Sequence, residues 1–281
     1  MSELKPPFEE VTVPPLIPGG PPSIGDLSRD PKQPPDSQPV SLRQKITPVL
    51  TKLAHGSAPF LTTFVLIHLT APALANLGGT SLSSQVMLLG REYYQTSFGE
   101  KYLLLLPFAI HTSTSIAKRL ITPKRSTRSL RSLLSITGYV ALLVFVPIHY
   151  LTHRVYPTDP SPPIYSIGPS ELDYEFAKVA VETWPWRSWL LYGGLTLGVA
   201  WHMAEGANII YTTWFKGKGG LGAGTVKIGK LQVRQRVIGA TLAFIPALTG
   251  LWMISTEPIM AFSSTILRFQ EVLKKSFIFR L

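Results

Sequence analysis

Cysteine is absent from the 281 residues. Its absence removes disulfides, thiolate metal sites, iron–sulfur ligation and covalent haem attachment. Charge is scarce too: 15% of residues are charged against 45% hydrophobic, and mean hydropathy is +0.20. Charges are missing altogether from several windows of about 20 residues, as a hydrocarbon layer about 30 Å thick requires of a crossing helix. No Ser–His–Asp grouping, metal-protease helix or carboxylate pair occurs, so the chain is not read as an enzyme.

The opening MSELKPPFEEV is neither Arg-rich and acid-poor, as a transit peptide is, nor succeeded by the apolar core of a secretory signal. Targeting is therefore expected within the membrane segments. The net charge of +11 falls beside the apolar windows, where loop charges of a membrane protein lie, and is read as an orientation signal rather than a nucleic-acid footprint.

Prolines crowd residues 1–45 and interrupt helices and central strands. This stretch reads as a disordered tail, partly polyproline II. As a spacer it needs no specific sequence. As a docking ligand its best segment is VTVPPLIP, in which Val11, Val13, Leu16 and Ile17 supply aliphatic anchors around Pro14, Pro15 and Pro18.

The fold class expected is an all-α membrane protein with five transmembrane helices, at about 58–77, 102–121, 133–152, 189–213 and 237–256. Trp184, Trp186 and Trp189 suit an interfacial belt before the fourth. The second-to-third loop carries Lys118, Arg119, Lys124, Arg125, Arg128 and Arg131 without an acid. The fourth-to-fifth loop carries Lys216, Lys218, Lys227, Lys230, Arg234 and Arg236, again without one. Five crossings put both basic loops on the side of the N-terminus, which the positive-inside rule makes cytosolic. Residues 257–281 are too charged to cross. The spacing of Ile266, Phe269, Leu273 and Phe277 predicts an amphipathic helix in the membrane interface.

Histidine sits inside the apolar stretches in a repeated pattern. FVLIH at residues 64–68 is echoed by FVPIH at 145–149, and AIHT at 109–112 by AWHM at 200–203. A small-residue corner precedes the first of each set, His55-Gly56-Ser57 and Ile136-Thr137-Gly138. Ser115 and Gly206 stand four residues after the second histidines. The pattern predicts two related two-helix units with a fifth helix added. His68, His111 and His202 are expected within a turn of one depth, with His149 nearer the far side. Two neutral imidazoles on facing helices can hold haem iron, each steadied by an acceptor on its other nitrogen. The small residues Ser113, Ser115, Ala204 and Gly206 would let a flat ring approach. The alternative is that these histidines hydrogen-bond between helices as packing contacts. Glu205, three residues after His202, either orients that ring or snorkels to the headgroups, and the second reading is the simpler.

Two phosphate-loop look-alikes are set aside. GKGGLG at 217–222 comes after a membrane helix rather than a strand, and the partial Walker pattern at 224–230 continues into Leu231 where Ser or Thr is needed.

HGSAPFLTTFVLIH, SITGYVALLVFVPIH and AWHMAEG, in a chain with five expected spans and a polar N-terminal tail, resemble the fungal mitochondrial outer-membrane adapter proteins that compensate for loss of the ER–mitochondrion tether. Their membrane domain is similar to the haem-b anchor subunits of succinate dehydrogenase and fumarate reductase. The resemblance covers about residues 50–256. It implies a cytochrome b anchor-like bundle in the mitochondrial outer membrane with its N-terminus cytosolic. It implies a role in lipid homeostasis in which the tail recruits a bridge-like lipid-transfer protein to contact sites, with membrane lipids as the other partner. It also implies haem b handling by His68, His111, His149 and His202. The family recruits through Pro-x-Pro, a spacing this tail lacks; Pro160 and Pro162, in the acidic loop, have it. A bis-histidine cytochrome passing electrons between a quinone and a partner is the competing reading. Internal repeats also suit a transporter, but the spans lack the charged pairs of a substrate path.

Overall fold

A computed structural model describes residues 41–122, 129–215 and 232–280. The chain divides into Met1–Ser41 and Leu42–Leu281, and the described helices belong to the second unit. Residues 11–18, the expected docking segment, lie outside the described residues.

The described chain is all-helical, with no strand. Helix α1 runs Leu42–Tyr94, and α2 runs Leu106–Ile121 behind a π-helical lead-in at Gly99–Leu105. Helix α3 is the continuous rod Leu133–Thr158. Then come α4 (Tyr174–Thr183), α5 (Pro185–Trp214), α6 (Val233–Thr256), α7 (Ser263–Lys274) and the short α8 (Phe277–Arg280). Among the described residues three helices, α1, α3 and α6, are long and apolar enough to cross a membrane, where the sequence led us to expect five. Helix α2 has 16 α-helical residues, and the 30 residues of α5 are diluted by glycines, Thr196, His202, Glu205 and Asn208.

Widened π turns precede Pro107, at Gly99–Leu105, and Pro147, at Ala141–Phe145. Proline removes a backbone donor from the helical ladder, and the extra residue of a π turn accommodates the defect while rotating the turns beyond it. His111 and His149 lie just past these two prolines.

Helix α1 passes without a loop through the first expected span and into what reads as a connecting segment. It starts at Leu42, ahead of the expected boundary at 45. It breaks only at Gly78 (φ −147°, ψ 22°) and Gly79 (φ 58°, ψ −152°). The positive φ at Gly79 is accessible to glycine at little cost. The arm beyond the break begins at Thr80, whose amide donates to both carboxylate oxygens of Glu257 at 3.2 and 3.1 Å. Thr80, through its side chain first and its amide second, and the Lys178 ammonium nearby hold Glu257 below the usual carboxylate range. Lys178 donates to Glu175 at 2.7 Å and to the Pro258 carbonyl at 2.9 Å, and the Met260 amide donates to Glu175 at 2.8 Å. The break in α1, the end of α6 and α4 are thereby joined by one ionic knot.

Residues 257–280 differ from the expected interfacial helix. Helix α7 is amphipathic, but Phe269, Val272 and Leu273 are no more than 1% exposed. They pack with Ile164, Ile167, Phe176 and Val179. The segment between α3 and α4, together with α4 itself, supplies the apolar surface that takes this face. Phe277 remains exposed.

Candidate functional site

Helix α1 packs on α2 and α6, α3 on α5, and α5 on α6. This arrangement sorts the four expected ligands into two pairs. His111 of α2 faces His202 of α5, with ring centroids 6.2 Å apart and planes at 78°. His68 of α1 faces His149 of α3, with centroids 5.8 Å apart and planes also at 78°. Two imidazoles sharing one metal ion, at about 2 Å from nitrogen to metal, have centroids about 6 Å apart. Both pairs meet that spacing.

The first pair lies level with Ala54 of α1, whose carbonyl contacts His111. His68 is 14 residues further along α1, so the two pairs are separated by about 20 Å at 1.5 Å per residue. The expectation that His68, His111 and His202 share one depth is corrected by this arrangement. Midpoints counted along a sequence assume spans of equal tilt and matching ends, and α1 alone overruns its expected span by more than a dozen residues at its start.

Hydrogen bonds distinguish the pairs. His111 Nδ1 is 3.0 Å from the Ala54 carbonyl and 3.2 Å from Ser57 Oγ. Ser57 donates its own hydroxyl proton to the same carbonyl at 3.0 Å. A carbonyl can only accept, so the proton of neutral His111 sits on Nδ1 and the Nε2 lone pair is left for another partner. His202 repeats the arrangement, with Nδ1 3.2 Å from the Leu134 carbonyl of α3. Each ring is thus fixed by the preceding helix of its own two-helix unit. Gly138 occupies the place in the second unit that Ser57 occupies in the first. A Cβ there would lie 2.8 Å from His202 Cε1, so the ring fits only because that residue is glycine. Open space flanks His202 beside Gly198 and Gly206, one turn before and one turn after it.

The second pair belongs to a hydrogen-bonded aromatic cluster. His68 Nδ1 is 3.3 Å from the Tyr94 hydroxyl, and its ring stacks on Phe64. His149 stacks on His153 with centroids 4.2 Å apart. His153 uses both nitrogens, Nδ1 toward the His149 carbonyl at 3.1 Å and Nε2 toward the Tyr192 hydroxyl at 3.1 Å. A tyrosine hydroxyl can donate or accept, so nothing fixes the His68 proton on Nδ1 as a carbonyl does for His111.

Several participants were not singled out from the sequence. His153 stands four residues after His149, a helical neighbour visible in HYLTH. His55, noted in the sequence only as part of a small-residue corner, accepts from the Trp214 indole N–H at 2.8 Å. The Ala54 and Leu134 carbonyls have no sequence signature at all. Glu205 does not snorkel: it is 6% exposed and accepts two hydrogen bonds from Arg236 of α6, at 2.7 and 3.1 Å. Arg236 had been counted as a loop charge. Among the described residues no group of three or more His, Asp or Glu could hold a metal ion. No family model matches the chain, and comparison with curated proteins and with solved structures finds no match either.

Proposed function

We propose that this is a haem b-binding membrane protein whose axial ligands are His111 and His202. The observation that carries the reading is the fixed tautomer of both rings. Two backbone carbonyls hold the two Nδ1 protons, and the rings that keep free Nε2 lone pairs stand 6.2 Å apart. When bound, such a haem supplies one-electron chemistry at a low-spin iron. The protein orients the two imidazoles, and the glycines beside His202 leave room for a flat ring. His68 and His149 have the spacing without the fixed tautomer and are the second candidate pair. We read α1, α2, α3, α5 and α6 as five crossings of a cytochrome b anchor-like bundle, with the basic loops and N-terminus cytosolic.

An absorption spectrum of the purified protein, oxidised and then dithionite-reduced, tests the assignment. Sharp reduced α and β bands are expected in the wild type and in His68→Ala/His149→Ala. They should be lost in His111→Ala/His202→Ala. A wild type without a Soret band after growth with ample haem precursor sinks the proposal, and so does an unchanged spectrum in the second variant.

The adapter role at the mitochondrial outer membrane rests on the resemblance. In that role residues 11–18 recruit a bridge-like lipid-transfer protein. Replacing Pro14, Pro15 and Pro18 by alanine should abolish its recruitment in cells, whereas the four histidine substitutions should not. Recruitment that survives the proline changes removes the segment from consideration. Electron transfer between a quinone and a partner remains the competing use of a bound haem, distinguished by loss with the histidines and indifference to the tail.

A further inference from the structure

Charge is unevenly placed about the His111–His202 pair. No Asp, Glu, Lys or Arg occurs in residues 53–90 of α1, 102–117 of α2 and its lead-in, 132–153 of α3 or 188–204 of α5. These stretches hold both histidine pairs and everything between them. The end where α2 and α5 finish and α3 begins is basic instead. Lys118 lies seven residues after His111, about 10 Å along the helix axis and within about 20° of the same face. It stands near His55, the residue after Ala54, whose carbonyl holds His111. Arg119 leans the other way, across to α3, with its guanidinium carbon 5.7 Å from the centre of the Tyr139 ring. Tyr139 follows Gly138, against which the His202 ring rests. Among the described residues no carboxylate pairs with Arg119. Glu205, the one acid of α5, is already matched by Arg236. The mouth of the cleft between the two rings is thus flanked by a cation toward α1 and another toward α3.

Haem b carries a pair of propionate side chains on one edge. Among uncharged residues such a carboxylate is left uncompensated, which is costly, whereas Lys and Arg bind it through charge-assisted hydrogen bonds. We propose that a haem held by His111 and His202 points its propionate edge to this basic end, where Lys118 and Arg119 bind one carboxylate each. The inference rests on the haem reading and adds to it the orientation of the ring and two residues that hold it.

The test uses the full-length protein, prepared free of haem, in phosphatidylcholine nanodiscs. It is titrated with haemin and with haemin dimethyl ester, whose propionates are neutral, and the Soret band reports binding. The quantity compared is the ratio of the two affinities, because bilayer partition of each porphyrin is the same for every variant and cancels. Lys118→Gln/Arg119→Gln should lower that ratio about tenfold, as loss of charge-assisted hydrogen bonds predicts. Each single glutamine change should lower it about threefold, a measurement that stands even if the double variant fails to fold. Lys118→Arg/Arg119→Lys should keep most of the ratio. Lys101→Gln, in the π-helical lead-in at the other end of α2, should leave it unchanged. A ratio that survives the glutamine changes at 118 and 119 overturns the orientation and leaves the axial assignment standing, and so does a ratio that falls with Lys101→Gln instead. A wild type that gives a low-spin spectrum with neither porphyrin overturns the haem reading and this inference together.

Discussion

Gly250→Ala will loosen α6 from α1 and destabilise the protein by about 3 kcal/mol, the upper end for a core forced to accept one extra carbon. At Gly250 a Cβ would run into the carbonyl of Pro72 on α1. That neighbour is backbone and cannot rotate away. The contact is also fixed from both sides: Asn76 donates to the Pro246 carbonyl of α6 and to the Ala73 carbonyl of α1, each at 2.7 Å, and Ala71 and Ala75 are each 1% exposed. Alanine is the better helix former by about 1 kcal/mol, so propensity alone predicts stabilisation. The clash outweighs it. Gly239 on the same helix has nothing within 4 Å of its Cβ, and Gly239→Ala should be neutral or slightly stabilising. Thermal unfolding of both variants in one detergent gives the comparison. Equal melting temperatures would mean that the close approach of α1 and α6 is not what holds them together.

The second large effect is expected at Glu205 and Arg236. Their side chains are 7% and 15% exposed, and removing one member of such a buried pair typically costs about 3–5 kcal/mol because the other charge is left without a partner. Glu205→Leu should therefore be severely destabilising. Glu205→Leu/Arg236→Leu should recover most of the loss, since no charge then remains buried there. A double-mutant cycle by thermal unfolding measures the coupling. If the double variant loses the sum of the two single losses, the ion pair contributes nothing as a pair. His202 lies three residues from Glu205 on α5, so this pair also fixes the rotation of the helix that presents His202.

Features carried by side chains were legible in the sequence. The echo of residues 64–68 in 145–149, and of 109–112 in 200–203, names all four paired histidines. The small-residue corners prove to be the surfaces on which the His111 and His202 rings rest, through Ser57 and Gly138. Features decided by backbone or by a partner distant in sequence were not legible. The Ala54 and Leu134 carbonyls that select the tautomers are invisible to any residue pattern. Glu205 looked solitary because Arg236 sits 31 residues later, among charges that resemble an ordinary loop. The apolar side of α7 looked destined for lipid because nothing in its own spacing announces Phe176 and Val179 as its cover. Gly78-Gly79 suggests a loop, and the break in α1 is confined to those two residues, with helix on either side.

The histidine pairing has a consequence for how such a molecule could arise. His111 belongs to the first two-helix unit and His202 to the second, and His68 and His149 divide in the same way. Each unit therefore holds only one ring of each histidine pair, and neither could complete a pair alone. Two identical copies of one unit, related by a two-fold axis passing between the facing rings, would complete both pairs at once. On this view the ancestral molecule is a symmetric dimer of a half-length chain. Fusion then freed each half to diverge, so that Ser57 could face one imidazole while Gly138 yields space to the other. Helix α6, which has no counterpart in the repeat, is the addition that breaks the symmetry.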